Sequence, residues 1–200
     1  MFLLRNMRAD VFKHTMFLVQ QGYYYNGEEK RVNFPGARTL VTDTKFYNSP
    51  QTVHHIPTIS SETIVKVENI DCLLAAEKLL NEGYHPAVLN MASRQNPGGG
   101  VQNGAGAQEE NLFRRTNLFQ SLYQFAPFAS NFGLPKSKHQ YPLDRNFGGI
   151  YTPHATFFRG TEQDGYPLLD TPYQMSFIAV AGINRPALAS PERIASELVE

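Results

Sequence analysis

The chain has 200 residues, 42% of them hydrophobic, enough to bury the core of one domain. Lys plus Arg and Asp plus Glu number 18 each, so the formal net charge is zero, and a duplex nucleic-acid partner, which needs a basic footprint, is not expected. Cys72 is the sole cysteine, which excludes an internal disulfide, reads as a buried thiol and favours a reducing, cytoplasmic setting.

Taken in chain order, MFLLRNMRADVFKHTMFLVQQG is too interrupted by Arg5, Arg8, Asp10 and Lys13 for a signal peptide, and no later window is apolar enough for a membrane span. Leu4, Met7, Val11, Met16 and Val19 fall near one helical face, which predicts a helix from about residue 3 to 21, stopped by Gly22. This makes residues of about 1–22 a helical extension on a single domain spanning 1–200. Asn26-Gly27 predicts a tight turn between short extended pieces, with Tyr23 to Tyr25 packing on the helix. Residues 44–60 read as irregular. TIVKVEN (63–69) predicts a strand, and DCLLAAEKLLNEG a helix capped by Asn69 or Asp71 and ended at Gly83. PAVLNMAS (86–93) predicts a second strand that runs into a glycine loop. QEENLFRRTNLFQSLYQF (108–125) resumes helical character. GGIYTPHATFFRG predicts two short strands around Pro153, and YQMSFIAVAGINRP a further strand. SPERIASELVE starts as a helix, with Ser190 as cap and Pro191 in its first turn, and reaches Glu200 without a stop signal. The expectation is a chain that ends inside its fold. Strand, helix, strand, loop, helix is the alternation of an α/β sheet.

The loop NPGGGVQNGAGA holds five glycines between 98 and 106 and is followed at once by Gln108, Glu109 and Glu110. A linker would have polar, structureless flanks; here a buried-type strand precedes and an amphipathic helix follows. The junction of a strand's carboxyl end with a helix's amino end is where open α/β sheets bind ligands, and free N–H groups there favour anions. The spacing matches neither the P-loop nor the dinucleotide fingerprint.

Three glycines, seven residues and then QEE, within VLNMASRQNPGGGVQNGAGAQEENLFRRTNL, resemble the signature of microbial-type poly(ADP-ribose) glycohydrolases. The resemblance continues more loosely over most of residues 15–186. It implies a macrodomain-like, three-layer α/β/α fold with a mixed central sheet, apparently truncated at the C-terminus, since the family's later strand and second glycine loop have no counterpart here. It implies cleavage of the ribose–ribose O-glycosidic bond of poly(ADP-ribose), with poly(ADP-ribose) or ADP-ribosylated proteins as partners, ADP-ribose as product and no cofactor. By position, Glu110 is the general acid that then activates water, Glu109 orients ribose hydroxyls and Gln108 helps hold the loop. Asn90, Asn96, Gly98, Gly99, Gly100, Val101 and Asn184 are the implied substrate contacts. Ser93 stands where many macrodomains carry an Asn, so a ribose contact there is weakened or passes to Asn96. The rival reading is an impaired ADP-ribose-binding macrodomain or an inactive fragment.

The remaining candidates read as bland. His54-His55 point apart in an extended chain and lack ligand partners at metal spacing, so no metal site is expected. Arg114 and Arg115 read first as a solvated helix face with local ion pairs, second as substrate clamps. Phe157 and Phe158 read as core.

Overall fold

In the computed structural model, which describes residues 2–34, 39–50 and 62–182, the apolar runs assemble into one mixed four-stranded sheet. Its order is β3 (Lys45–Tyr47), β5 (Gly149–Arg159), β6 (Leu168–Val180) and β4 (Ala87–Met91). β5 pairs antiparallel with both β3 and β6, whereas β4 runs parallel to β6 with Leu89 beside Ile178 and Met91 beside Val180. The parallel pair brings two carboxyl ends together, and the loop leaving β4 therefore opens at the end of the sheet where ligands are held.

Alternation along β4 and β6 decides what lies under that loop. Val88, Asn90, Phe177 and Ala179 are buried, whereas Leu89, Met91, Ile178 and Val180 remain exposed among the described residues. Asn90 is the one polar side chain in this buried set. Against the sheet pack α3 (Cys72–Asn81), α4 (Gln108–Arg115) and α5 (Leu118–Tyr123). Asp71 caps α3 by accepting from the Leu73 and Leu74 amides. The long helix α1 (Phe2–Gln21) crosses α4 and α5, with the buried Phe12 ring meeting Phe113, Phe119 and Tyr123 at centroid distances of 6.1–6.5 Å. No helix among the described residues is long and apolar enough to cross a membrane. A hairpin of β1 (Tyr23–Tyr25) and β2 (Arg31–Asn33) turns at Asn26, whose side-chain oxygen accepts from the Glu28 and Lys30 amides. Its Tyr24 packs on Phe34 and on Phe158 of β5, as well as beside α1.

Three expected elements come out differently. Residues 63–69 form no strand: Ile64, Val65 and Val67 are exposed, and a β-branched run becomes a strand only when another backbone pairs with it. The helix expected over 108–125 is two, because Thr116 turns extended and bridges Phe157, while Asn117 bonds both backbone groups of Thr156. β5 then claims the break. The two short strands around Pro153 are one strand, with the proline's missing donor absorbed by a register shift between Thr152 and Ala155 and by His154 at φ 57°. Residues 44–60, read as irregular, contribute β3, and a short helix α2 (Leu40–Asp43) precedes it. His54, His55 and the helix expected from Ser190 lie outside the described residues.

Candidate active site

Two consecutive left-handed residues start the glycine loop, Gly98 at φ 75° and Gly99 at φ 53°. Side chains are strained there, and space excludes them as well. A Cβ on Gly98 would come within 2.5 Å of the buried Phe113 ring, and one on Gly99 would overlap the Glu110 carboxylate. The same Cβ would lie 3.4 Å from Glu109 Oε2, so both carboxylates converge on this bare stretch of backbone. A Cβ on Gly100 would press on Ala105 at 2.9 Å.

Glu109 and Glu110 are both buried in the first turn of α4, and they are not equivalent. Adjacent helical residues point about 100° apart. Glu109 reaches down to the end of β4: Oε1 accepts from Gly98 N at 3.1 Å and Asn90 Nδ2 at 3.4 Å, and Oε2 accepts from Ser93 N at 2.7 Å. Among the described residues Glu110 accepts one bond, from Gly100 N to Oε1 at 2.9 Å, and its Oε2 is buried without a partner. Asn90 Oδ1 is likewise buried and unpartnered. Burial raises the Glu109 pKa to about 7 against the pull of its backbone donors, and the Glu110 charge adds to the rise. Glu109 is thus a carboxylate held in place that still binds a proton near neutrality.

Gln108 makes its bonds with the strand that leads into the loop. Its Nε2 donates to Leu89 O at 2.6 Å and its Oε1 accepts from Met91 N at 2.9 Å, so the amide pairs with β4 as a neighbouring strand would. It ties α4 to the edge of the sheet. Nε2 also lies 3.8 Å from the half-buried Cys72 thiol, whose pKa burial raises. Asn96 is exposed, with its carbonyl accepting from Gly99 N at 2.9 Å. Val101 opens a short 3₁₀ turn with its side chain in the core. Asn184 lies outside the described residues.

Arg114 and Arg115 correct the surface reading: they are 0% and 1% exposed. Arg115 donates to both Asp71 oxygens at 2.9 and 2.8 Å and to Arg159 O at 3.1 Å, fixing the end of α4 to the cap of α3. Arg114 donates to Tyr166 OH and to Ala105 O, both at 2.8 Å. A pair of basic residues at a helix end normally marks solvent, and only the aromatic sequence around these residues hinted at burial. Phe157 and Phe158 are core, as expected. Sequence reasoning missed Ser93 as a donor to Glu109, because the contact is made by backbone. It also missed Tyr141, whose buried hydroxyl has no partner and whose pKa is raised by burial and by the charge on Glu109.

The sequence profile of the microbial-type PARG catalytic domain matches residues 13–160. Poly(ADP-ribose) glycohydrolase from Thermomonospora curvata superposes with a TM-score of 0.75 at 26% identity, over 97% of this chain and 72% of that one. The same enzyme bound to the inhibitor ADP-HPD gives 0.72 at 27% identity, over 97% and 71%. Poly(ADP-ribose) glycohydrolase from Deinococcus radiodurans in complex with ADP-ribose gives 0.55 at 27%, over 84% and 67%. No protein of curated function matches significantly.

Proposed function

The chain belongs to the family of microbial-type PARG catalytic domains, and from that premise we propose that it hydrolyses the ribose–ribose O-glycosidic bond of poly(ADP-ribose) with Glu110 as general acid. Glycoside cleavage passes through an oxocarbenium-like state and needs a proton on the departing oxygen, then an activated water. One observation carries the assignment. Glu110 is locked through Oε1 on Gly100 N, while Oε2 is buried and free to deliver a proton. Glu109 is the poorer candidate for that transfer, since three donors already occupy its oxygens. A carboxylate offers about four acceptor sites, which leaves one to orient a ribose hydroxyl.

The glycines serve this chemistry by letting both carboxylates reach the backbone and by leaving no side chain above them. Asn90 holds Glu109 from below, and its free Oδ1 supports a substrate contact. Poly(ADP-ribose), free or attached to modified proteins, is the substrate in this reading and ADP-ribose the product. The test is release of ADP-ribose from an automodified polymer, resolved by chromatography. The Glu110→Gln variant keeps the shape and loses the transferable proton. Its turnover is expected to fall about 100- to 10,000-fold while ADP-ribose still binds. Undiminished turnover in that variant assigns the acid elsewhere.

A further inference from the structure

We infer that Arg8, Glu162, Tyr166 and Arg114 form a brace that positions the second half of the glycine loop, and with it the direction in which α4 presents Glu110; the inference rests on Glu110 being the acid. The brace is a continuous chain of charge-assisted bonds. Arg8 grips Glu162 through Nε at 2.9 Å and Nη2 at 2.6 Å. Tyr166 OH donates to Glu162 Oε2 at 2.6 Å and accepts from Arg114 Nε at 2.8 Å. Arg114 Nη1 then donates to Ala105 O, inside the loop, at 2.8 Å. Residues far apart in the chain, from α1, α4 and the β5–β6 connection, meet on residues 104–107.

The contact surface is closed. A Cβ on Gly106 would overlap the Arg8 guanidinium, and one on Gly104 would overlap the Arg5 carbonyl, so α1 lies flush against the loop. The same helix holds the far end of α4, where Thr15 Oγ1 donates to Arg114 O at 2.6 Å. Arg159 supports that contact, donating to Thr15 Oγ1 at 2.9 Å and to Tyr166 O at 2.9 Å. Helix α1 therefore grips the glutamate-bearing helix before its first turn and at its last. Arg114 is fully buried with Nη2 unpartnered; the Glu162 charge acts on it through space, and among the described residues the hydrogen-bonded connection between the two passes through the Tyr166 hydroxyl. Removing the hydroxyl cuts that connection without changing the ring. These four are positioning residues: none is within the Glu109–Glu110 cradle.

The experiment compares wild type with Tyr166→Phe, Glu162→Gln and Arg8→Lys. It measures kcat and KM for ADP-ribose release, melting temperature, and hydrogen exchange of the backbone amides at 104–107. For Tyr166→Phe, kcat is expected to fall about tenfold with KM held within about twofold, and exchange at 104–107 to quicken while the rest of the protein keeps its protection. Glu162→Gln should act in the same direction. Arg8→Lys should lose less of the rate than Glu162→Gln, since it keeps the charge and loses only the fork. If Tyr166→Phe does not fold, the Glu162 and Arg8 variants carry the test, because those side chains reach solvent at the brace's outer end, 24% and 19% exposed, whereas Tyr166 is buried. Unchanged exchange at 104–107, unchanged kcat, or a drop in melting temperature alone would overturn the brace. A wild type that binds ADP-ribose but releases none would overturn the reading of Glu110 instead, and the exchange data would still judge the brace.

Discussion

The two halves of the glycine loop use the same residue for opposite purposes. Gly98, Gly99 and Gly100 face inward, where a Cβ would meet the Phe113 ring, the Glu110 carboxylate and Ala105. Gly104 and Gly106 face α1, where a Cβ would meet the backbone of Arg5 and the side chain of Arg8. One half lets carboxylates reach bare backbone; the other lets a helix close on the loop from behind. A glycine-rich stretch in a sequence therefore signals close approach without saying what approaches.

Single methyl groups can separate the two halves. Gly99→Ala places its Cβ in the Glu110 carboxylate at a positive φ, and the side chain must swing away to make room. A misplaced reacting group costs on the order of 100-fold in rate, so turnover should collapse by about that factor while the melting temperature moves little. Steady-state kinetics beside a thermal melt decide it; retained rate would mean that the first half does not serve the acid. Gly104→Ala should act chiefly on stability, with only the smaller loss of rate, about tenfold, that loosening the brace predicts. Its Cβ meets backbone, which cannot step aside as a flexible side chain can, and φ is 71°. Strain of this kind costs about 1–3 kcal/mol, visible as a lowered denaturation midpoint. The expectation is that α1 lifts from the loop. A variant as stable as wild type would erase the distinction between the halves.

The most gradual effect concerns Glu109 and is spread over a pH range. Its folded-state pKa of about 7 lies above the ordinary 4.5, chiefly through burial, so the folded protein holds this proton more tightly than the unfolded chain does. Below about pH 4.5 the group is neutral in both states and costs nothing. As pH rises from there to about 7 the unfolded chain ionises first and stability falls, by up to roughly 3 kcal/mol from this group. Glu109→Gln should remove that slope, so the two stability curves should converge at low pH and separate towards pH 7. Parallel curves across the window would show that Glu109 titrates normally.

Much of the site could be read before any coordinates. The run from Asn90 through the three glycines to Glu109 and Glu110 is nearly continuous, and covalent spacing keeps it together whatever the rest of the chain does. The loop lies between β4 and α4, as the alternation of apolar residues predicted. Elements defined by a partner rather than by their own pattern were misread. TIVKVEN has strand composition and no ladder, and residues 108–125 have helical periodicity but yield at Thr116 to a bridge with Phe157. The arginines failed for the same reason, since Asp71 and Tyr166, which satisfy them, lie far away in sequence.

The sequence by itself determined the chemistry on offer: two carboxylates at the start of a helix, a glycine loop before them and the family signature that joins the two. That information is local, carried by spacing within about twenty residues. Which glutamate keeps an oxygen free was decided by tertiary structure, because Ser93, Gly98 and Asn90 turn their donors to Glu109 and only Gly100 turns to Glu110. So was the closure of α1 on the loop, through contacts spanning 99 positions from Thr15 to Arg114 and 154 from Arg8 to Glu162. A hydrogen bond depends on direction and distance in space, and composition and periodicity hold neither over such separations.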